Sequence, residues 1–177
     1  MVKRLLLILS IVMAILIIIC LFFRFEPDHN TKIPTGITID KIIVFKSERK
    51  LVAYSEGKAI TAYKVALGRN PVGPKEYEGD QKTPEGTYRI NGKNPNSSFH
   101  KNLGISYPNR QDVEKAKKLG KPPGGEIKIH GIKNGHGSIG ELHRMTDWTN
   151  GCIALTDQEI DELYKHTPIG TSIEIRK

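Results

Sequence analysis

Cysteine and tryptophan are the scarcest residues here, with two cysteines and one tryptophan in 177 residues. So few thiols rule out a disulfide framework. Cys20 lies inside a long apolar run, which leaves Cys152 as the one thiol of the remaining chain. Metal-ligand spacings are missing too. No CxxC, HExxH or HxxxH occurs, so His130, His136, His143 and Cys152 make a poor zinc set, and no metal or cofactor is implied. There is no arginine-rich block and no basic helix interleaved with aromatics, which argues against nucleic acid as a partner. Internal repeats and low-complexity tracts are also lacking.

What is present begins with charge. Lys+Arg 27 against Asp+Glu 19 gives +8, spread along the chain. That balance favours an anionic partner such as anionic lipid or an acidic wall polymer. The longest apolar run, 5–23, is close to the ~20 residues a membrane-spanning helix needs. Lys3 and Arg4 precede it and Glu26 and Asp28 follow, which puts the N-terminus inside and the rest outside. No A-x-A-like cleavage site follows the run, and Ile17, Ile18 and Ile19 are too bulky for lipoprotein cleavage before Cys20. The expectation is an uncleaved transmembrane signal anchor over 1–24 and a polar, proline-bearing linker over 25–36. A single domain over 37–177 then lies on the periplasmic or cell-wall side of the cytoplasmic membrane.

Within that domain the pattern is mainly β (α+β). Short runs rich in β-branched and aromatic residues predict strands over 39–45, 50–54 and 59–67, followed by 87–90, 103–107, 126–130 and 171–175. Residues 68–86 are dense in Gly, Pro and charge and read as a long loop. Two short helices are predicted. One spans 112–119, with Val113, Ala116 and Lys117 on one side. The other follows Thr156, which with Glu159 fits a capping box; Leu155 and Ile160 fit a hydrophobic staple, and Pro168 ends the helix.

The chemistry concentrates in 126–155. An alternating segment delivers His130 and Gly131, a glycine-rich loop follows, and a second short segment delivers Gly151 and Cys152. A thiol and an imidazole at the ends of two strands are the parts of nucleophilic acyl transfer. Gly151 lets a carbonyl approach the backbone, and nearby amides could hold an oxyanion. His130 is the best base because it ends a strand; His136 and His143 read as solvated loop residues. Trp148 is either a core anchor or a wall of the substrate groove. Asp147 could orient a histidine, pair with Arg144, or cap a turn. Arg144, Lys133 and Arg69 could recognise a substrate carboxylate. The glycines at 135, 137 and 140 would allow 132–148 to act as a lid.

I-H-G at 129–131 and T-N-G-C-I-A-L at 149–155 resemble the bacterial L,D-transpeptidase family with the YkuD-type catalytic domain. Gly79-Asp80, Thr83-Pro84-Glu85-Gly86, Ile105-Ser106-Tyr107-Pro108 and the branch-specific Asp147-Trp148-Thr149 extend the likeness over essentially the whole domain that follows the linker. The resemblance implies a partly open β-sandwich or barrel behind one transmembrane helix. It implies Cys152 as nucleophile and His130 as general base and acid, with the Gly131 carbonyl orienting His130. The amides of Asn150, Gly151 and Cys152 would form the oxyanion hole, and Arg144, Trp148, Thr149 and Asp147 would contact substrate. The implied reaction is attack on a peptidoglycan stem tetrapeptide, release of D-alanine, and transfer of the thioester to an acceptor amine as a 3-3 cross-link. A hydrolase on the same scaffold, an L,D-carboxypeptidase or an amidase releasing wall-linked peptide or protein, is the nearest rival. A non-catalytic wall-binding module is more remote. Two positions depart from the family pattern: Asn150 replaces a second His, and Ala154 replaces an Arg.

Overall fold

The computed structural model describes residues 32–177 and, before them, Met13 alone. The expected membrane anchor and most of the expected linker therefore lie outside the described residues. No helix among the described residues is long and apolar enough to cross a membrane. Ile33, inside the expected linker, is buried, and its amide donates to Glu162 at 2.6 Å.

Eight strands form one sheet: β1 (Lys41–Phe45), β2 (Lys50–Ser55), β3 (Lys58–Lys64), β4 (Gly86–Ser97), β5 (His100–Ile105), β6 (Lys128–His130), β7 (Ile153–Ala154) and β8 (Ser172–Arg176). Their order is β3-β2-β1-β8-β4-β5-β6-β7. The β1–β2–β3 meander follows from β-branched alternation and two tight turns, where Arg49 and Glu56 take positive φ. The last strand, β8, inserts parallel to β1 and antiparallel to β4, joining the first and last strands in the middle of the sheet. Beyond β3 the chain meets the far edge again, through bridges Ala66↔Ala154 and Gly68↔Thr149. The sheet thus curls until its edges touch, which makes the expected sandwich or barrel a single curled sheet with a short seam. The core inside it includes Ile42, Val44, Leu51, Tyr63, Leu103, Ile129, Ile153 and Ile173.

Three differences from the expected elements have local causes. First, β4 continues past Ile90 to Ser97, because β5 supplies ladder partners to a stretch (Asn91, Gly92, Asn94, Pro95) that reads locally as a turn. The ladder is irregular there, with register shifts between Ile90 and Gly92 and between Asn94 and Ser97. Second, helix α1 (Arg110–Lys118) starts earlier than predicted, because Asn109 and Asp112 form a capping box. Its buried residues are Asp112 and Ala116, whereas Val113 is exposed. The Asp112 carboxylate accepts from the Tyr88 hydroxyl, so a polar contact fixes the face that α1 turns inward. Third, Gly137–Met145 is a 3-10 segment kinked at Gly140, where a loop was expected.

Helix α2 (Asp157–His166) matches expectation: Thr156 and Glu159 complete the capping box, and Leu155 and Ile160 are fully buried. His166 Nδ1 donates to the Ile37 carbonyl at 2.7 Å, tying the helix end to the start of the domain.

Loop 68–86 is pinned rather than loose. The Lys46 ammonium, buried in the β1–β2 turn, donates to the Gly73 and Thr83 carbonyls and to Glu85. Lys75 and Asp80 form an ion pair at 2.7 Å with side chains only 4% and 3% exposed. Asp80 also accepts the amides of Glu76, Tyr77 and Lys82, and these bonds hold its pKa below the usual carboxylate value against the opposing effect of burial.

Candidate active site

Parallel pairing of β6 with β7 sets Ile129 opposite Ile153 and His130 opposite Ala154. Ile129 and Ile153 point into the core, both fully buried. Alternation then turns Lys128, His130 and Cys152 to the other side of the sheet. There His130 and Cys152 line one cleft of about 510 Å³, with Arg69, Phe99, Lys128, Trp148 and Asn150. Asn94, Asn96, Ser97, Ser98 and Asn102, from the β4–β5 hairpin that sequence reasoning missed, form a neutral polar wall. A larger cavity, about 750 Å³, lies at the start of α2 among Glu141, Asp157, Glu159 and Glu162. It is lined by neither a thiol nor an imidazole, so the expected thiol–imidazole pair lies in the smaller cleft.

The Cys152 turn is built from its own backbone and from loop 68–86. The Thr149 hydroxyl donates to the Cys152 carbonyl at 2.8 Å and accepts the Gly151 amide at 3.1 Å. Gly151 has φ +129, and a Cβ there would lie 2.6 Å from the Lys82 carbonyl oxygen. Glycine is required on both counts. The Gly151 amide, one of the three expected oxyanion donors with those of Asn150 and Cys152, is thus committed to Thr149. Thr149 itself is buried and acts as the clasp of the turn.

Cys152 is half-buried, and its Sγ lies 3.6 Å from the Glu126 carbonyl. Burial pushes the thiol pKa up, while the Lys128 amide and ammonium pull it down. His130 is buried, with Nδ1 2.7 Å from the Gly131 carbonyl. A carbonyl only accepts, so Nδ1 carries the proton and Nε2 is the basic nitrogen. Burial pushes the His130 pKa down, and the Gly131 carbonyl offsets part of that effect. The resting pair is therefore a neutral thiol and a neutral imidazole.

Two rings border His130. Phe99 lies 4.8 Å away between centroids, and Trp148 meets it edge-on at 5.7 Å. Phe99 and Trp148 stack on each other at 6.0 Å. Trp148 is thus a wall of the groove. His143, expected in solvent, is instead buried behind Trp148; its only sequence signal is its position five residues before Trp148 in a segment that reads as loop. His136 is exposed, as expected.

Arg144 and Asp147, expected to contact substrate, are held by partners within the chain. Arg144 pairs with Glu159 of α2, the two side chains being 10% and 8% exposed, and it does not line the cleft. Asp147 accepts Arg49 on one oxygen and the Leu67 amide on the other, so it ties the loop to the β2 end of the meander. Ala154 is fully buried and bridges Ala66 through the backbone. Arg69 does line the cleft, and its Nη1 donates to Asn150 Oδ1 at 2.5 Å. Lys128 is neutralised by Glu126 at 2.5 Å, which leaves Arg69 as the positive charge of the cleft without a carboxylate partner among the described residues. The Gly68↔Thr149 bridge is what carries Arg69 to the cleft.

The structure thus joins a thiol and an imidazole in one groove, beside a glycine turn, on a curled sheet with a parallel β6–β7 pair. Residues 39–175 match the YkuD family, the L,D-transpeptidase catalytic domain, and the chain belongs to that family. YafK of Escherichia coli (strain K12), provisionally described as an L,D-transpeptidase, is 30% identical over 131 residues, covering 70% of this chain and 45% of YafK. The helical cell shape determining protein Pgp2 of Campylobacter jejuni superposes with a TM-score of 0.61 at 25% identity, over 85% of this chain and 52% of Pgp2. Bd1075 of Bdellovibrio bacteriovorus shares the fold, with a TM-score of 0.56 at 24% identity over 82% of this chain and 50% of Bd1075. The chain spans about half the length of each of these proteins.

Proposed function

We propose that the chain is a cysteine acyltransferase acting on peptidoglycan stem peptides. The observation that carries this reading is the union of Cys152 and His130 in one cleft, with the His130 tautomer set by Gly131. Cys152 Sγ attacks the amide carbonyl after the third residue of a stem tetrapeptide, and its proton passes to His130 Nε2. The amides of Asn150 and Cys152 hold the tetrahedral oxyanion; one such donor lowers the barrier by about 3–4 kcal/mol. Collapse breaks the C–N bond, His130 returns the proton to the leaving D-alanine amine, and a thioester remains. An acceptor amine attacks the thioester, His130 takes its proton and passes it to the departing Cys152 sulfur, and the cross-link forms. Neutral resting groups suit this sequence, because the proton moves only as the C–S bond forms.

Arg69 takes the substrate carboxylate, since its guanidinium carries the cleft's uncompensated positive charge. Removing it is expected to cost about 10- to 100-fold in kcat/KM on stems with a free terminal carboxylate and far less on the carboxamide. Equal losses on both substrates would remove Arg69 from this role. The apolar run 5–23 with Lys3 and Arg4 supports a membrane-anchored, extracytoplasmic enzyme. Protease accessibility of the domain in intact spheroplasts tests that placement.

The deciding experiment is intact-protein mass spectrometry of the full chain with a disaccharide tetrapeptide. A thioester adduct on wild type and none on Cys152→Ala is the expected result. Released products with and without an acceptor amine then separate transfer from hydrolysis by an L,D-carboxypeptidase or a stem-peptide amidase. A Cys152→Ala protein that fully restores function in cells would point to a non-catalytic wall-binding module instead.

A further inference from the structure

The Trp148 indole N–H points at His143 Nδ1, 3.3 Å away, and the two rings meet edge to face at 84°. An indole N–H only donates, so His143 Nδ1 must carry a lone pair and the ring must be neutral. On its other side, Trp148 borders His130 and stacks on Phe99, which itself lies on His130. The four rings form a chain that begins at a buried histidine outside the cleft and ends at the general base. We propose that His143 is a positioning residue: by accepting the Trp148 indole N–H it fixes the wall that holds the His130 ring in line with Cys152.

Several observations agree on this role. His143 is 8% exposed and does not line the cleft, so it cannot touch a substrate lying there. Trp148, in contrast, does line the cleft, so without a fixed indole N–H its ring would be free to rotate against His130. The groups acting on His143 are Arg144 and His130, which disfavour its protonation, and Asp157, which favours it; burial is the largest influence, and together they bring its pKa down to about 4. The acceptor state is thus kept across the whole neutral range. Protonation would place a second donor against the indole N–H and break the contact.

The full chain, purified in detergent, is compared as wild type, His143→Leu and His143→Asn. The asparagine oxygen can stand where Nδ1 stands, whereas leucine offers no acceptor. Trp148 is the one tryptophan in the chain, so intrinsic emission reports the surroundings of this ring, and the two His143 variants assign any acid step to the His143 contact. Wild-type emission is expected to titrate with a midpoint of about 4 while the far-ultraviolet circular dichroism is unchanged, and neither variant should show that step. The rate of Cys152 alkylation by iodoacetamide, read by peptide mass spectrometry to separate it from Cys20, measures the thiol–imidazole pair without any substrate. Leucine is expected to slow alkylation about tenfold at pH 7.5, and asparagine to restore it to within about threefold. On stem peptides the leucine loss should fall on kcat, with KM little changed. Equal alkylation in wild type and His143→Leu would overturn the proposal, as would equal impairment of the leucine and asparagine variants. If His143→Leu does not fold, the absence of an emission step in folded wild type overturns it. Alkylation and emission need no turnover, so a wild type inactive on stem peptides would refute the assigned reaction while leaving this test intact.

Discussion

Loop 68–86 and segment 131–150 converge on the Cys152 turn from opposite sides, and they are held in different ways. The first is anchored by buried charge: Lys46 gathers three acceptors and Lys75 pairs with Asp80. Its Gln81 and Lys82 carbonyls press directly behind Gly68 and Gly151. The second is anchored by rings around His130 and by Arg144 on Glu159, while Ile139, Leu142 and Met145 remain exposed. Buried ion pairs tolerate the loss of one partner badly, because the other is left uncompensated. Ring contacts degrade more gradually. The first loop therefore acts as a rigid backing for the Cys152 turn, and the second packs around the His130 ring.

The comparison breaks most sharply at Asp80. Asp80→Ala leaves the Lys75 ammonium buried and unpaired, and a loss of about 3–5 kcal/mol is expected in urea unfolding. Slower alkylation of Cys152 should accompany it, as the Lys82 carbonyl shifts. A loss below about 1 kcal/mol would refute the rigid-backing role. Gly151→Ala should cost about 2–5 kcal/mol, from an unfavourable φ and a Cβ against the Lys82 carbonyl, and should abolish the thioester adduct. Arg144→Met is expected to cost less, about 1–3 kcal/mol, because Glu159 keeps the Thr156 amide. An Arg144→Met loss as large as that of Asp80→Ala would erase the distinction between the two loops.

Acid sharpens the contrast. Unfolded His143 protonates near its ordinary pKa of 6.5, whereas in the folded chain it does so only at about 4. The unfolded state thus binds the proton first as pH falls, so stability drops between 6.5 and 4 and this contribution stops falling below 4. The drop should be about 2–3 kcal/mol after solvent screening, and His143→Asn should flatten it in urea titrations across that window. The smallest effect is expected at the exposed side chains: Leu142→Ser and Met145→Ser should each change stability by no more than about 0.5 kcal/mol.

Much of this arrangement was legible in the sequence where local signals and tertiary demands agree. The β1–β3 meander follows from alternation, and α2 follows from the Thr156–Glu159 box and the Leu155–Ile160 pair. Cys152 and His130, which share one cleft, stand out from one short stretch, since a lone thiol beside a glycine and an imidazole at a strand end are local facts. What remained hidden depends on distant chain. The extension of β4 through Gly92 and Pro95 exists because β5 pairs with it. Val113 looks like a core residue on α1, yet Asp112 turns inward because Tyr88 donates to it. Arg144 looked free to meet a carboxylate and found one within its own chain, at Glu159. Arg69 reaches the cleft only through a bridge across the seam, and the burial of His143 depends on how a kinked 3-10 segment folds behind Trp148.

The seam has a consequence for handling the protein. Among the described residues, the bridges Ala66↔Ala154 and Gly68↔Thr149 join the two borders of the curled sheet, and both lie within three residues of Cys152. A lesion that opens the nucleophile turn therefore also uncovers two rows of unpaired backbone donors and acceptors, which are templates for pairing with another chain. Inactive variants of this turn should self-associate more readily than equally destabilised variants elsewhere, so catalytic competence and colloidal behaviour are inherited through the same few hydrogen bonds.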